Sequence, residues 1–265
     1  MAGLGRSQIV WLQPQSMSTP SPTDHAYPLG TLTGIGVGPG DPDLLTLKAL
    51  KCLQTADVVA FPQGRNGQPG LAQQIVTPHL GTQRLLPLEF PYVQDQHELA
   101  SAWQKAGDRI WQHLNQGQQV VFACEGDLSF YGTFNYLALD LERRYPTVSI
   151  NRVPGICSPM AAVSALGLPL TVQSDKLVVL PAIYAVADLN TVLGWADVVV
   201  LLKVGSVYSE VWQLLKQRQL LEQSWVIVNA TQPNQRIYRP LTPHPHLNLP
   251  YFSLMVIRSG ANPLP

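Results

Sequence analysis

No apolar run in the 265-residue sequence approaches the roughly 18 residues that a membrane-spanning helix requires, so no membrane partner is read from it. Net charge is missing as well. The 17 Lys and Arg cancel the 17 Asp and Glu, which removes the basic surface that a nucleic-acid partner calls for. Cysteine is scarce: Cys52, Cys124 and Cys157 stand far apart among apolar or small residues. That is the pattern of buried thiols in a reducing compartment, the cytoplasm, and not of a disulfide framework. No metal site is expected, because Pro243-His244-Pro245-His246 has two imidazoles without a thiol or carboxylate beside them. Neither a Ser-His-Asp set nor a carboxylate pair stands out. Met1–Pro28, rich in Ser, Pro and Gln, has only Ile9-Val10-Trp11-Leu12 as an apolar core, too short for a secretory signal. It reads as a disordered extension.

What is present is organised around Thr31–Leu53, TLTGIGVGPGDPDLLTLKALKCL. A short apolar run breaks into Gly34, Gly36, Gly38 and Gly40 and then resumes with helical spacing at Leu44, Leu47, Leu50 and Leu53. Asp41 and Pro42 predict the helix start, as N-cap and first helical residue. The stretch is strand, glycine turn, helix. Glycine there lets a ligand lie against bare backbone, or makes a tight turn that binds nothing. Two phosphate-binding signatures fail on spacing. A G-x-G-x-x-G count from Gly36 ends on Asp41, and from Gly38 on Asp43; no Gly-Lys-Ser/Thr comes after.

The rest of the first half alternates. Short strands are expected at Asp57–Phe61, Leu85–Phe90, Gln119–Ala123 and Val148–Val153. Helices are expected at Leu71–Val76, Gln96–Gln116, Tyr131–Arg144 and Ile156–Leu166. This argues a mostly parallel sheet covered by helices. Gly167–Ser174 reads as the connection to a second domain with a mixed sheet. The expected class is α/β, with one domain over residues 29–168 and another over 169–265. Four turns come after apolar strands: Gly38-Pro39-Gly40-Asp41, Glu125-Gly126-Asp127, Pro154-Gly155-Ile156-Cys157-Ser158 and Lys203-Val204-Gly205. Together they predict a small-ligand cleft between the two halves, lined by main-chain groups.

GIGVGPGDPDLLTLKAL, ADVVAFP, GQQVVFACEGDLSFYGTF and VPGICSPMAAVSALGLPL carry a resemblance to the tetrapyrrole methylase family. LEFPY with its QDQHELASAWQKA continuation, and LLKVGSV, are similar to the members that methylate carbon 20 of precorrin-2. The likeness runs from about Thr31 to Gln235. It implies transfer of a methyl group from S-adenosyl-L-methionine to a ring carbon of a tetrapyrrole in cobalamin biosynthesis, by a homodimer. By motif it implies cofactor contacts at Gly38, Pro39, Gly40, Glu125, Gly126, Asp127, Phe130, Cys157, Ser158, Val204 and Ala230. Asp127 is a helix cap or a ligand contact. Tyr131 is a core aromatic or the hydroxyl that touches substrate as acid or base. Arg65 is a surface charge or a partner for substrate carboxylates.

Three positions depart from the relatives: Leu128 where proline usually follows Glu-Gly-Asp, Gly132 in place of serine, and Pro62. The last stands where uroporphyrinogen III methylases carry an acid, so that acid's role has no counterpart here. The remaining readings are methylation at C11 or C17, and an adenosine-binding module without turnover.

Overall fold

Val58–Pro62 (VVAFP) and Val120–Cys124 (VVFAC) are apolar at nearly every position, which suits strands covered on both faces. With Thr31–Gly36 as β1, these are β2 and β4; Arg84–Leu88 is β3 and Ser149–Val153 is β5. All four pairings among them are parallel, in the order β3-β2-β4-β1-β5. The helices are α1 (Leu47–Thr55), α2 (Leu71–Val76), α3 (Gln96–Leu114) and α4 (Phe134–Arg144). Strand alternation sorts the apolar residues onto two faces. Leu32, Val58, Ala60, Val120 and Phe122 pack with Ile110 and Leu114 of α3 and Leu137 and Leu141 of α4. Ile35, Val59, Phe61, Val121 and Ala123 pack with Ala49 and Leu53 of α1 and Ile75 of α2.

The structure, a computed structural model, describes residues 28–64, 68–91, 95–181 and 186–260. Residues 1–27, most of the expected disordered extension, lie outside these, as does Arg65. The chain divides into two compact units. One holds the chain through Gly38 and from Pro42 to Ile156; the other holds Pro39–Asp41 and everything from Cys157. Among the described residues no helix is long and apolar enough to cross a membrane.

The second unit contains α5 (Ser158–Leu166), β6 (Leu177–Pro181), α6 (Val186–Val192), β7 (Val198–Leu202), α7 (Tyr208–Gln217), β8 (Ser224–Val228), β9 (Arg236–Tyr238) and β10 (Ser253–Arg258). Its sheet runs β6-β7-β10-β8-β9 and is mixed: β6 and β7 are parallel, and every other pairing is antiparallel. Both α5 and Gly167–Ser174 belong to the second compact unit. Gly167 is the left-handed end of that helix (φ 66°). The segment after Gly167 is tied to β10: Arg258 donates to the carbonyls of Pro169 and Leu170 and pairs with Asp175 at 2.7 Å.

Two expected helix starts move by three residues or more. Pro42–Leu44 forms only a 3-10 turn, and α1 begins at Leu47. Thr46 is its N-cap: extended backbone stops the helix there, and the hydroxyl accepts from the Ala49 N–H at 3.2 Å. Leu47 is consequently 77% exposed, and Ala49 and Leu53 form the buried face. The fourth helix begins at Phe134 and not Tyr131, because Tyr131 is left-handed (φ 56°). Buried thiols are correct only for Cys124; Cys52 and Cys157 are half-buried.

Candidate functional site

Three parallel strands of the first unit, β4, β1 and β5, end side by side, with Gly36 opposite Cys124 and Ile35 opposite Val153. This carboxyl edge is where open α/β sheets bind ligands. Backbone contacts hold the turns at these three strand ends together. Val37 N–H donates to the Cys124 carbonyl at 2.9 Å, and Gly38 and Gly126 exchange a pair of bonds at 3.2 and 2.8 Å. A Cβ on Gly36 would lie 2.5 Å from the Gly155 nitrogen and 2.7 Å from the Gly126 oxygen. Gly36 and Gly155 are small because backbone packs on backbone there, a use of glycine different from admitting a ligand. Gly38 is different again: φ is 81°, and an added Cβ would meet nothing closer than 3.5 Å.

Asp127 is the polar tie among these turns. One carboxylate oxygen accepts from Ser129 N–H at 2.8 Å and from its hydroxyl, and the other accepts from Gly155 N–H at 2.8 Å. Partial burial works to raise its pKa, but the Ser129 hydroxyl and the N–H groups of Gly155, Ser129 and Leu128 outweigh that and hold it below the usual carboxylate value. It does not cap α4, whose N-cap is Thr133 without a side-chain bond. The carboxylate is an anchor between the turns after β4 and β5.

Phe130 is half-buried, and its ring meets that of Tyr131 edge-on at 5.0 Å. Tyr131 is 55% exposed, so the core-aromatic reading is set aside. A left-handed tyrosine is a backbone outlier of the kind that collects at functional sites. The two unusual residues nearby have separate reasons: a Cβ at Gly132 would press on the backbone carbonyl of residue 128 (3.1 Å to its carbon), while the Leu128 side chain fills the core with Phe122 and Phe134. Cys124 is no nucleophile. Burial, with the Glu125 charge adding, pushes its thiol up to about 12. Glu125 itself is half-buried.

In the second unit Gly40 packs against the turn after β8. A Cβ there would sit 3.1 Å from the Ala230 oxygen and 3.1 Å from Thr231 Oγ1, and would collide with Gln232. Asp41 N–H donates to Thr231 Oγ1 at 3.2 Å. Asn229 and Thr231 are left-handed (φ 50° and 66°), as is Lys203 before Val204 (φ 58°). Val204 is fully buried in the core. Pro39 precedes Gly40 in the same unit. Cys157 is the half-buried N-cap of α5 and Ser158 its first residue. Gln232 is the residue missed from sequence: its Nε2 is buried without a hydrogen-bond partner beside Gly40. Nothing in the sequence marks it.

A wholly parallel α/β unit and then a mixed one define a two-domain α/β protein, with glycine-bearing or left-handed turns at strand ends in each unit. The sequence matches the profile of the Tetrapyrrole (Corrin/Porphyrin) Methylases over residues 31–243, and the chain belongs to that family. It is 34% identical over 239 residues to the cobalamin biosynthesis protein CobIJ of Mycobacterium tuberculosis (strain ATCC 25618 / H37Rv), covering 87% of this chain. It spans only 46% of that relative's length. It is 31% identical to a precorrin-2 C(20)-methyltransferase of Sinorhizobium sp, over 86% of this chain and 95% of the other. The fold is that of uroporphyrin-III C-methyl transferase from Thermus thermophilus complexed with S-adenyl homocysteine: TM-score 0.63, 21% identity, 86% of this chain and 97% of that one.

Proposed function

We propose that the chain is an S-adenosylmethionine-dependent C-methyltransferase that methylates C20 of precorrin-2 or of its cobalt complex in cobalamin biosynthesis. The likeness to the Sinorhizobium enzyme, which extends over nearly all of both chains, carries this reading. The residues fit such a cofactor. Gln232 has a buried amide nitrogen without an acceptor among the described residues, and left-handed residues collect in the turns after β7 and β8. Gly38, Pro39, Gly40, Glu125, Gly126, Asp127, Phe130, Cys157, Ser158, Val204 and Ala230 are the proposed contacts, mostly through backbone. Bound S-adenosylmethionine supplies an electrophilic methyl group, and the nucleophile is an electron-rich ring carbon of the substrate. The protein's part is to orient and to exclude water, which needs no strong side-chain base. Asp127, held ionised and occupied by three donors, is suited to fixing turns and not to taking a proton.

The test is incubation with methyl-labelled S-adenosylmethionine and either metal-free or cobalt-containing precorrin-2, and then location of the label. Label at C20 supports the reading. Label at C11 or C17 reassigns the position, and binding without transfer makes the chain an adenosine-binding module. A cytoplasmic homodimer is proposed with it, and sedimentation of the purified protein checks the dimer.

A further inference from the structure

The carboxyl edge of the parallel sheet has a second feature away from the glycine turns. At the ends of β2 and β3, against α3, lies a cavity of about 690 Å³, lined by Gln63, Gly64, Leu88 to Pro91 and one side of α3. The volume suits a sizeable small molecule. Leu88 and Phe90 give one apolar wall, with Phe90 fixed edge-on against Phe122 at 6.2 Å. Ala102 and Ala106, one helical turn apart, are the small residues that α3 contributes to the lining. Lys105 and Arg109, again one turn apart, line the same cavity. Neither forms an ion pair among the described residues. Arg109 donates one N–H to the Pro87 carbonyl at 2.6 Å, which aims the guanidinium and leaves its other donors for a ligand.

The cavity also contains acids, Glu89 just after β3 and Glu98 on α3. Glu98 lies in the first turn of α3. At about 1.5 Å rise per residue, Lys105 and Arg109 stand about 10 and 16 Å further along the axis. The two cations are about 6 Å apart on that axis, a spacing that neighbouring carboxylate arms on one ring can bridge. The slot lies on the same sheet edge as the turn after β4. With strands about 4.8 Å apart and β2 between them, β3 is about 10 Å from β4. That offset is within the span of a single tetrapyrrole.

We propose that this cavity is the seat of one pyrrole ring of the substrate, its face between Phe90 and Ala102–Ala106 and its carboxylate arms on Lys105 and Arg109. The proposal rests on the methyltransferase reading for the identity of the substrate, and its test is separable from that reading. Uroporphyrin III, an unreactive polycarboxylate, is titrated into the purified protein and monitored by fluorescence, with S-adenosylhomocysteine affinity measured by calorimetry on the same samples. Lys105→Ala/Arg109→Ala should weaken uroporphyrin binding at least tenfold, about 1.4 kcal/mol, and flatten its dependence on salt. S-adenosylhomocysteine affinity should stay within twofold, which also shows that the variant is folded. Lys105→Arg/Arg109→Lys should retain binding, and Glu98→Gln should not weaken it. Unchanged uroporphyrin affinity in the double alanine variant overturns the assignment, and so does a wild-type protein that binds no uroporphyrin. Failure to methylate precorrin-2 with this binding pattern intact would instead count against the reaction.

Discussion

At Asp127 the exchange of one oxygen for an amide is expected to do more than remove a charge. Both oxygens accept, one from Ser129 and the other from Gly155. Asp127→Asn must therefore point an N–H group at one of those donors, and the turns after β4 and β5 should separate. The expected outcome is a lower melting temperature together with weaker S-adenosylhomocysteine binding; an unchanged melting temperature would show that the tie is dispensable. The folded carboxyl titrates below its ordinary value near 3.8. Its contribution is therefore present above that value and lost as pH falls through the lower folded one. Wild type should lose more stability than Asp127→Asn between about pH 5 and 2, and parallel profiles would refute the linkage. The glycines separate in the same way. Gly38 needs a left-handed conformation but has room, so Gly38→Asn should keep cofactor affinity within about threefold while Gly38→Val loses tenfold or more. Gly40→Val should lose as much for another reason, its collision with Gln232 and the Ala230 carbonyl.

Among the elements, α3 and α4 are joined by a charge clamp. Arg144 pairs with Asp140 at 2.5 Å, with Asp108, and with the Gln104 carbonyl at 3.2 Å. Asp140 is 5% exposed, so removing Arg144 leaves a buried carboxylate with only the longer Arg143 contact at 3.5 Å. Arg144→Ala should cost about 3–5 kcal/mol in denaturant unfolding; a loss under 1 kcal/mol would mean that water reaches Asp140. Such a clamp is not legible from spacing, since Asp108 and Arg144 are 36 residues apart. The elements themselves are far more legible. Five-residue apolar strands between amphipathic helices leave little choice of type, and β2, β4 and β5 fall within a residue or two of expectation. β9 escapes a sequence reading because three mostly exposed residues, Arg236, Ile237 and Tyr238, carry no burial pattern. The first helix starts later than expected because Asp41-Pro42 is a locally sound start signal, outcompeted by the Thr46 cap.

For the molecule as a whole, sequence locates the glycine turns but not their division of labour. That Gly36 and Gly155 serve backbone packing, or that Gln232 is left without a partner, emerges only from contacts made across the fold. Two titrating side chains at these turns are unfit for proton transfer. Cys124 is locked as a thiol and Asp127 as a hydrogen-bonded carboxylate. Tyr131, four residues beyond Asp127, is an exposed tyrosine held by a left-handed backbone. If the reaction depends on orientation and a carbon nucleophile, Tyr131→Phe keeps the ring and removes only the hydroxyl. Turnover should then fall by less than about a hundredfold, the low end for loss of a general acid or base, with S-adenosylhomocysteine affinity unchanged. Measuring kcat and KM for precorrin-2 in both proteins decides the matter. A loss of four orders of magnitude in kcat with binding intact would make Tyr131 the catalytic acid or base and end the account by orientation alone.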